Sequence, residues 1–267
     1  MALVVLSVVC ASPAPRCQDE PAPQSAFHDP LLPLAQSTDD VGRELLTAYD
    51  RFDAAGLLEN IATIEARLGS EDELVEDRYV LAQGYVSLNL IRRFFEKHAS
   101  DDMPAVLEAL DPDELAELGI AHAAVYQQAH PKHADIRRVH GELVSTQIRG
   151  MLGGMTKGPE AKRLMAEAKQ LDARNGWVHF SSARMHYHNP AFVGGDKDLA
   201  LEELRVLQKS MEPFRVRLYL ALTYNAKEMY PQARYWALKA TAMAPQNREA
   251  KLLMAEIKQR LAEDQES

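Results

Sequence analysis

Leu220 to Pro245 reads LALTYNAKEMYPQARYWALKATAMAP, and in it Ala221, Tyr224, Ala233, Ala240 and Pro245 follow one another at steps of three, nine, seven and five residues. Small residues at helical spacing let two helix axes approach closely. Pro245 ends the second helix, because the residue before a proline is pushed out of the helical region. Upstream, Ala200 opens Ala-Leu-Glu-Glu-Leu thirty-three residues before Ala233 opens Ala-Arg-Tyr-Trp-Ala. A period of about that length is the signature of stacked helical hairpins. Each hairpin is too short to be stable alone, so units bury their apolar faces against neighbours and build a curved rod with a concave face. The expected fold is all-α, an antiparallel helix-hairpin solenoid.

Working outward, almost everything after position 38 reads as helix. Asp39 or Asp40 caps a helix with the stripe Leu45, Leu46, Tyr49 and Phe52, which Gly56 is expected to break. A second helix carries Leu57, Ile61 and Ile64 and stops at Gly69-Ser70. Ser70-Glu71-Asp72-Glu73 has the form of a capping box for a third, through Leu81, Tyr85 and Leu88. Asp111-Pro112 starts another, running to about Ala129. A helix from Ala134 to Leu152 follows, then a loop at Gly153-Gly154 and Gly158-Pro159. Three hairpin elements (160–171, 177–187 and 197–211), a last pair (214–227 and 231–243) and a closing helix complete the chain. No flexible linker divides residues 38–262, which read as one repeat domain.

Residues 1–37 are different. Met1 to Ala11 is an apolar run as long as a secretory h-region, with Val9-Cys10-Ala11 as a cleavage trio and no basic residues before it, which reads as a truncated signal peptide and an exported, periplasmic or secreted protein. Ser12 to Pro33 holds six prolines and reads as a disordered linker. The run is too short to span a bilayer, and no later segment is long and uncharged enough. The two cysteines, Cys10 and Cys17, give no disulfide framework. The chain of 267 residues has a net charge of -9, which disfavours binding to a phosphate backbone and excludes nucleic acid from the expected partners.

Ala221, Tyr224, Ala233, Ala240 and Pro245 resemble the tetratricopeptide (TPR) repeat, with Ala237 where that family usually has an aromatic residue. A degenerate unit carries Ala161, Met165 and Ala168 on its second helix, and in the next unit Ala183 and Ala200 stand five residues further apart than Ala221 and Ala233. The resemblance implies a TPR-like superhelix that binds a protein or peptide and carries no catalytic residue or cofactor. The five extra residues lie in the stretch from His188 to Asp196, whose Asn189-Pro190-Ala191-Phe192-Val193-Gly194-Gly195-Asp196 is similar to a loop in the periplasmic TPR subunit of tripartite ATP-independent (TRAP) transporters. That likeness implies a solute-handling transport subunit as the alternative.

Mapping the family's groove onto this chain places Arg138, Trp177, Arg184, Tyr187, His188, Arg215 and Asn225 along the concave face. Arginines beside aromatic rings suit a bidentate grip on a carboxylate against a stacking wall, so an acidic or C-terminal peptide is the expected ligand. The competing reading makes Trp177 and Phe180 core residues, since aromatic stripes at helical spacing usually pack inward. Gly194, Gly195 and Asp196 are expected to form a lip of the groove, or only to reverse the chain and cap the next helix. His133 and His140, like His179 and His186, stand seven apart, whereas metal ligands on one helix prefer three or four. No phosphate-loop, His-Glu-x-x-His or Gly-x-Ser-x-Gly motif is present.

Overall fold

The computed structural model describes residues 27–29, 31, 39–98, 100–211 and 213–266. The signal-like run and Cys17 lie outside the described residues. Among the described residues there are twelve α-helices: α1 (Asp40–Arg51), α2 (Ala54–Arg67), α3 (Asp77–His98), α4 (Ala105–Glu108), α5 (Pro112–Ala129), α6 (Ala134–Thr146), α7 (Gly150–Leu171), α8 (Gly176–His188), α9 (Lys197–Ser210), α10 (Phe214–Ala226), α11 (Tyr230–Met243) and α12 (Arg248–Glu266). They pack as the hairpins α1/α2, α3/α5, α6/α7, α8/α9 and α10/α11, with α12 against α11. The first helices of successive hairpins also touch, from α1 to α3, α6, α8, α10 and α12. This is a TPR-like all-α solenoid.

The alanine pattern explains the stacking. Ala221, Ala233, Ala237 and Ala240 are fully buried, so α10 and α11 meet through side chains no larger than a methyl group. Asp39 caps α1, accepting from the Gly42 N–H at 2.9 Å, and Asp111 caps α5 with Pro112 in its first turn.

Four boundaries differ from the sequence reading. Gly56 does not break the first helix. The break is at Phe52, in a left-handed conformation, and Asp53 then caps α2 by accepting from the Gly56 N–H. Ser70 does not start α3, because Asp77 takes the Leu74 N–H at 2.8 Å and residues 69–76 stay outside any helix. α6 ends at Thr146 rather than Leu152. Gly153, Gly154, Gly158 and Pro159 lie inside α7 rather than in a loop. Proline is tolerated there because the first turns of α7 face outward, and the buried residues Ala161, Leu164 and Ala168 come only after it.

The rod closes on itself. Asn247, just before α12, donates from Nδ2 to the carbonyls of Tyr49 (3.2 Å) and Asp50 (3.4 Å) in α1. The Tyr49 hydroxyl donates to Glu249 at 2.8 Å, and Arg248 lies 5.0 Å from the Phe95 ring centre. Arg215 of α10 also reaches Ser87 of α3 at 3.5 Å, although α6 and α8 stand between those helices in the stack. Only tight curvature brings such helices together.

Candidate interaction site

Successive first helices run side by side, so their inward faces form one wall. α3 brings Tyr79, Gln83 and Ser87 to it at helical i, i+4 spacing. α6 answers with Asp135, Arg138 and Glu142. Arg138, only 1% exposed, donates to both Asp135 oxygens at 2.8 and 2.7 Å and to Gln83 Oε1 at 2.8 Å, and lies 3.2 Å from Glu142. Asp135 also accepts from the Tyr79 hydroxyl and from Asn175 Nδ2 at 3.2 Å. Glu142 accepts from the Ser181 hydroxyl and from Arg184 at 3.4 Å. Arg215 pairs with Asp50 at 3.3 Å and stacks 4.3 Å from the Tyr49 ring centre and 5.6 Å from that of Trp177.

Asp135, Glu142 and Asp50 each face an arginine. Burial alone pushes the Asp135 and Glu142 carboxyls up, but the adjoining Arg138 overrides it and holds both below the usual carboxylate range. Burial wins at Glu249 and Asp50, whose carboxyls are raised despite the Tyr49 hydrogen bond and the Arg215 pair.

This geometry corrects the expectation of an open trough. Arg138, Trp177 and Arg215 are 1, 5 and 6% exposed, because the wall's own helices press together: Gln83 of α3 meets Arg138, and Asp50 and Tyr49 of α1 meet Arg215. Arginine beside aromatic rings does mark carboxylate recognition here, but the carboxylates are Asp50, Asp135 and Glu142. Tyr187, His188 and Asn225 reach the rim. His188 Nε2 meets the Tyr219 hydroxyl at 2.8 Å, and Asn225 donates to Glu256 at 2.9 Å. Burial of the His188 ring tip, with Arg184, Lys97 and Arg93 nearby, lowers its pKa to about 3. At the loop, Gly194 has φ +96° and Asp196 caps α9 by accepting from the Asp198 and Leu199 N–H groups, which matches chain reversal and capping.

At the N-terminal end of α8 the wall holds a peptide. Phe27 to Asp29, inside the proline-rich stretch, lie beside the turn that precedes the helix. The His28 N–H donates to the Arg174 carbonyl (2.9 Å), and the Gly176 N–H donates to the His28 carbonyl (2.8 Å), a parallel β-bridge. The Trp177 indole N–H donates to Asp29 Oδ1 at 2.7 Å. The Phe27 ring sits 4.3 Å from that of His179, His28 Nε2 is 2.6 Å from Asp172, and Phe27 and Leu31 pack half-buried on the edge of the core. A Cβ at Gly176 would crowd the Met211 sulfur and stand 3.0 Å from the His28 carbonyl oxygen, so any larger residue would make both give way.

Two surface clefts flank this wall. One of about 300 Å³ lies between α7 and α8, lined by Lys162, Met165, Lys169, Met185 and His186, with Gly194 at its edge. Another of about 730 Å³ joins Lys97, Asp101 and Asp102 to Arg248 and Lys251 of α12. Other histidines also have structural partners, among them His133, which caps α6, His186, which pairs with Glu203 at 3.0 Å, and His122, which stacks on Tyr85. Among the described residues no three His, Cys, Asp or Glu side chains form a metal-binding group, and no helix is long and apolar enough to cross a membrane. Among those residues the most exposed large apolar side chains are Met151, Leu152 and Met155 in the first turns of α7.

No family model matches the chain, and no curated protein matches it by sequence. Among solved structures it is similar to a thermophilic TPR protein of Thermus thermophilus, with a TM-score of 0.55 and 16% identity over 81% of this chain and 98% of that one. The likeness at that identity is one of fold, and it agrees with the hairpin stacking described above.

Proposed function

We propose that the protein is a non-enzymatic, TPR-like interaction module of the cell envelope that binds a partner protein through an extended segment. One observation carries this reading: the concave wall already holds a short peptide, Phe27–Asp29, by main-chain pairing and a carboxylate contact. Such pairing gives affinity from the backbone and selectivity from flanking side chains. The apolar run Met1 to Ala11 supports the envelope location. The rim at Tyr187, His188 and Asn225 is the part of the face left open to a partner. The transport-subunit alternative calls for an enclosed apolar pocket or a pore. The cleft at Lys97 and Arg248 is charged, and the mostly apolar cleft between α7 and α8 opens to the surface, so neither is the enclosed pocket that reading calls for.

A photo-cross-linking residue at His188 or Gly194, compared with one at Tyr235 on the outer face of α11, tests the proposal in an envelope extract. One defined protein trapped at the first two positions and not at the third is expected. Hydrolase activity abolished by His188→Ala, or equal trapping at all three positions, refutes it.

A further inference from the structure

The seat at the start of α8 is built from three contacts that differ in what they demand of an occupant. The pairing of His28 with the Arg174 carbonyl and the Gly176 N–H uses main-chain atoms alone, so it accepts any residue but proline, which lacks the N–H. The flanking contacts are selective. His179 offers a ring face to Phe27, and the Trp177 indole N–H offers one donor to the Asp29 carboxylate, with Arg138 6.0 Å from the same indole ring centre. Phe27 and Leu31 only edge the core, so the segment can leave without opening it. Resting on the interaction-module reading, we propose that this seat is exchangeable: the chain's own Phe27–Asp29 gives way to an extended segment of a partner protein with an aromatic residue two positions before a carboxylate.

The cis segment then acts as a built-in competitor. Tethering holds it near its seat at an effective concentration of order millimolar, so a partner segment of equal quality binds the intact chain about a hundredfold or more weakly than an emptied seat of micromolar affinity. The cis occupant carries a cost of its own, since burial raises the Asp29 carboxyl above its ordinary value. His28 and Asp172 are both partly exposed, so their 2.6 Å contact adds little.

The test uses the full chain and a fluorescein-labelled peptide with the sequence of residues 25–33 (SAFHDPLLP). The control peptide replaces its Phe and Asp by Ala. A Phe27→Ala, Asp29→Ala chain is expected to bind the probe at least about tenfold more tightly than wild type and not to bind the control. Adding Trp177→Phe, which keeps a ring but removes the donor, is expected to weaken the probe about tenfold. If the double variant misfolds, a protease site placed within residues 32–38 and cut after folding releases the cis segment, and the cut chain must then gain probe binding. A folded, emptied chain that binds the probe no better than wild type, or binds the control equally, overturns the exchange. If cross-linking at His188 still traps one partner in that case, the interaction-module reading stands alone. If the emptied chain binds the probe and not the control while no partner is trapped at His188 or Gly194, the seat's preference for an aromatic residue two positions before a carboxylate stands, and the rim's part in partner binding falls.

Discussion

Replacing Arg138 by Met keeps most of the volume and removes the charge at the centre of the polar seam. The two carboxylates left behind are not equal. Glu142 keeps Arg184 at 3.4 Å and the Ser181 hydroxyl. Asp135, 1% exposed, keeps only the neutral donors Tyr79 and Asn175. One buried carboxylate is therefore orphaned, and breaking a buried pair from one side costs about 3–5 kcal/mol. Urea unfolding at about pH 7.5 measures the loss. Asp135→Asn added to Arg138→Met is expected to recover most of it, and Glu142→Gln much less. Acidification supplies the sign. In wild type the lowered Asp135 and Glu142 pKa values contribute stability above about pH 4, which is lost as pH falls through the folded values. Without Arg138, burial raises Asp135, so the variant gains stability as pH falls and its deficit narrows. A deficit under about 1 kcal/mol, or one that widens on acidification, refutes the account of the seam.

Ala240→Leu forces a large side chain between α10 and α11, where Ala240 is fully buried, and is expected to cost about 1–3 kcal/mol in a denaturant titration. The His188 ring, with a pKa of about 3, is expected to hold its imidazole proton shifts constant between about pH 7.5 and 5, whereas an ordinary histidine titrates near 6.5. Met151→Ser, Leu152→Ser and Met155→Ser, at positions 70–79% exposed, are each expected to change stability by no more than about 0.5 kcal/mol.

The hairpin stacking was legible because its signal is local. Ala221, Ala233 and Ala240 declare a close helix contact, and Asp39 and Asp111 declare caps, within a few residues of chain. The occupancy of the wall was not, because it depends on partners far away in sequence: Arg215 finds Asp50, and Trp177 finds Asp29. A local trace did exist. Tyr79, Gln83 and Ser87 put polar groups at i, i+4 steps among the apolar residues Val80 to Leu88 of α3, which marks that stretch as facing a buried polar surface. The aromatic and acidic residues of Phe27-His28-Asp29 were masked by the surrounding prolines, whose composition reads as linker. Gly153, Gly154 and Pro159 misled for the opposite reason. Local propensity argued for a loop, and packing of Ala161, Leu164 and Ala168 carried the helix through it.

Closure of the rod brings α1 and α3 against α10, and the Arg215 contacts with Asp50, Tyr49 and Ser87 depend on it. Spin labels at Arg51 and Gln246, both exposed and next to the Asn247 contacts, measure it directly in a Cys10→Ser, Cys17→Ser background. One narrow distance of about 20 Å, two helix spacings, is expected in solution. A broad distribution centred well beyond it would show an open superhelix and contradict the account.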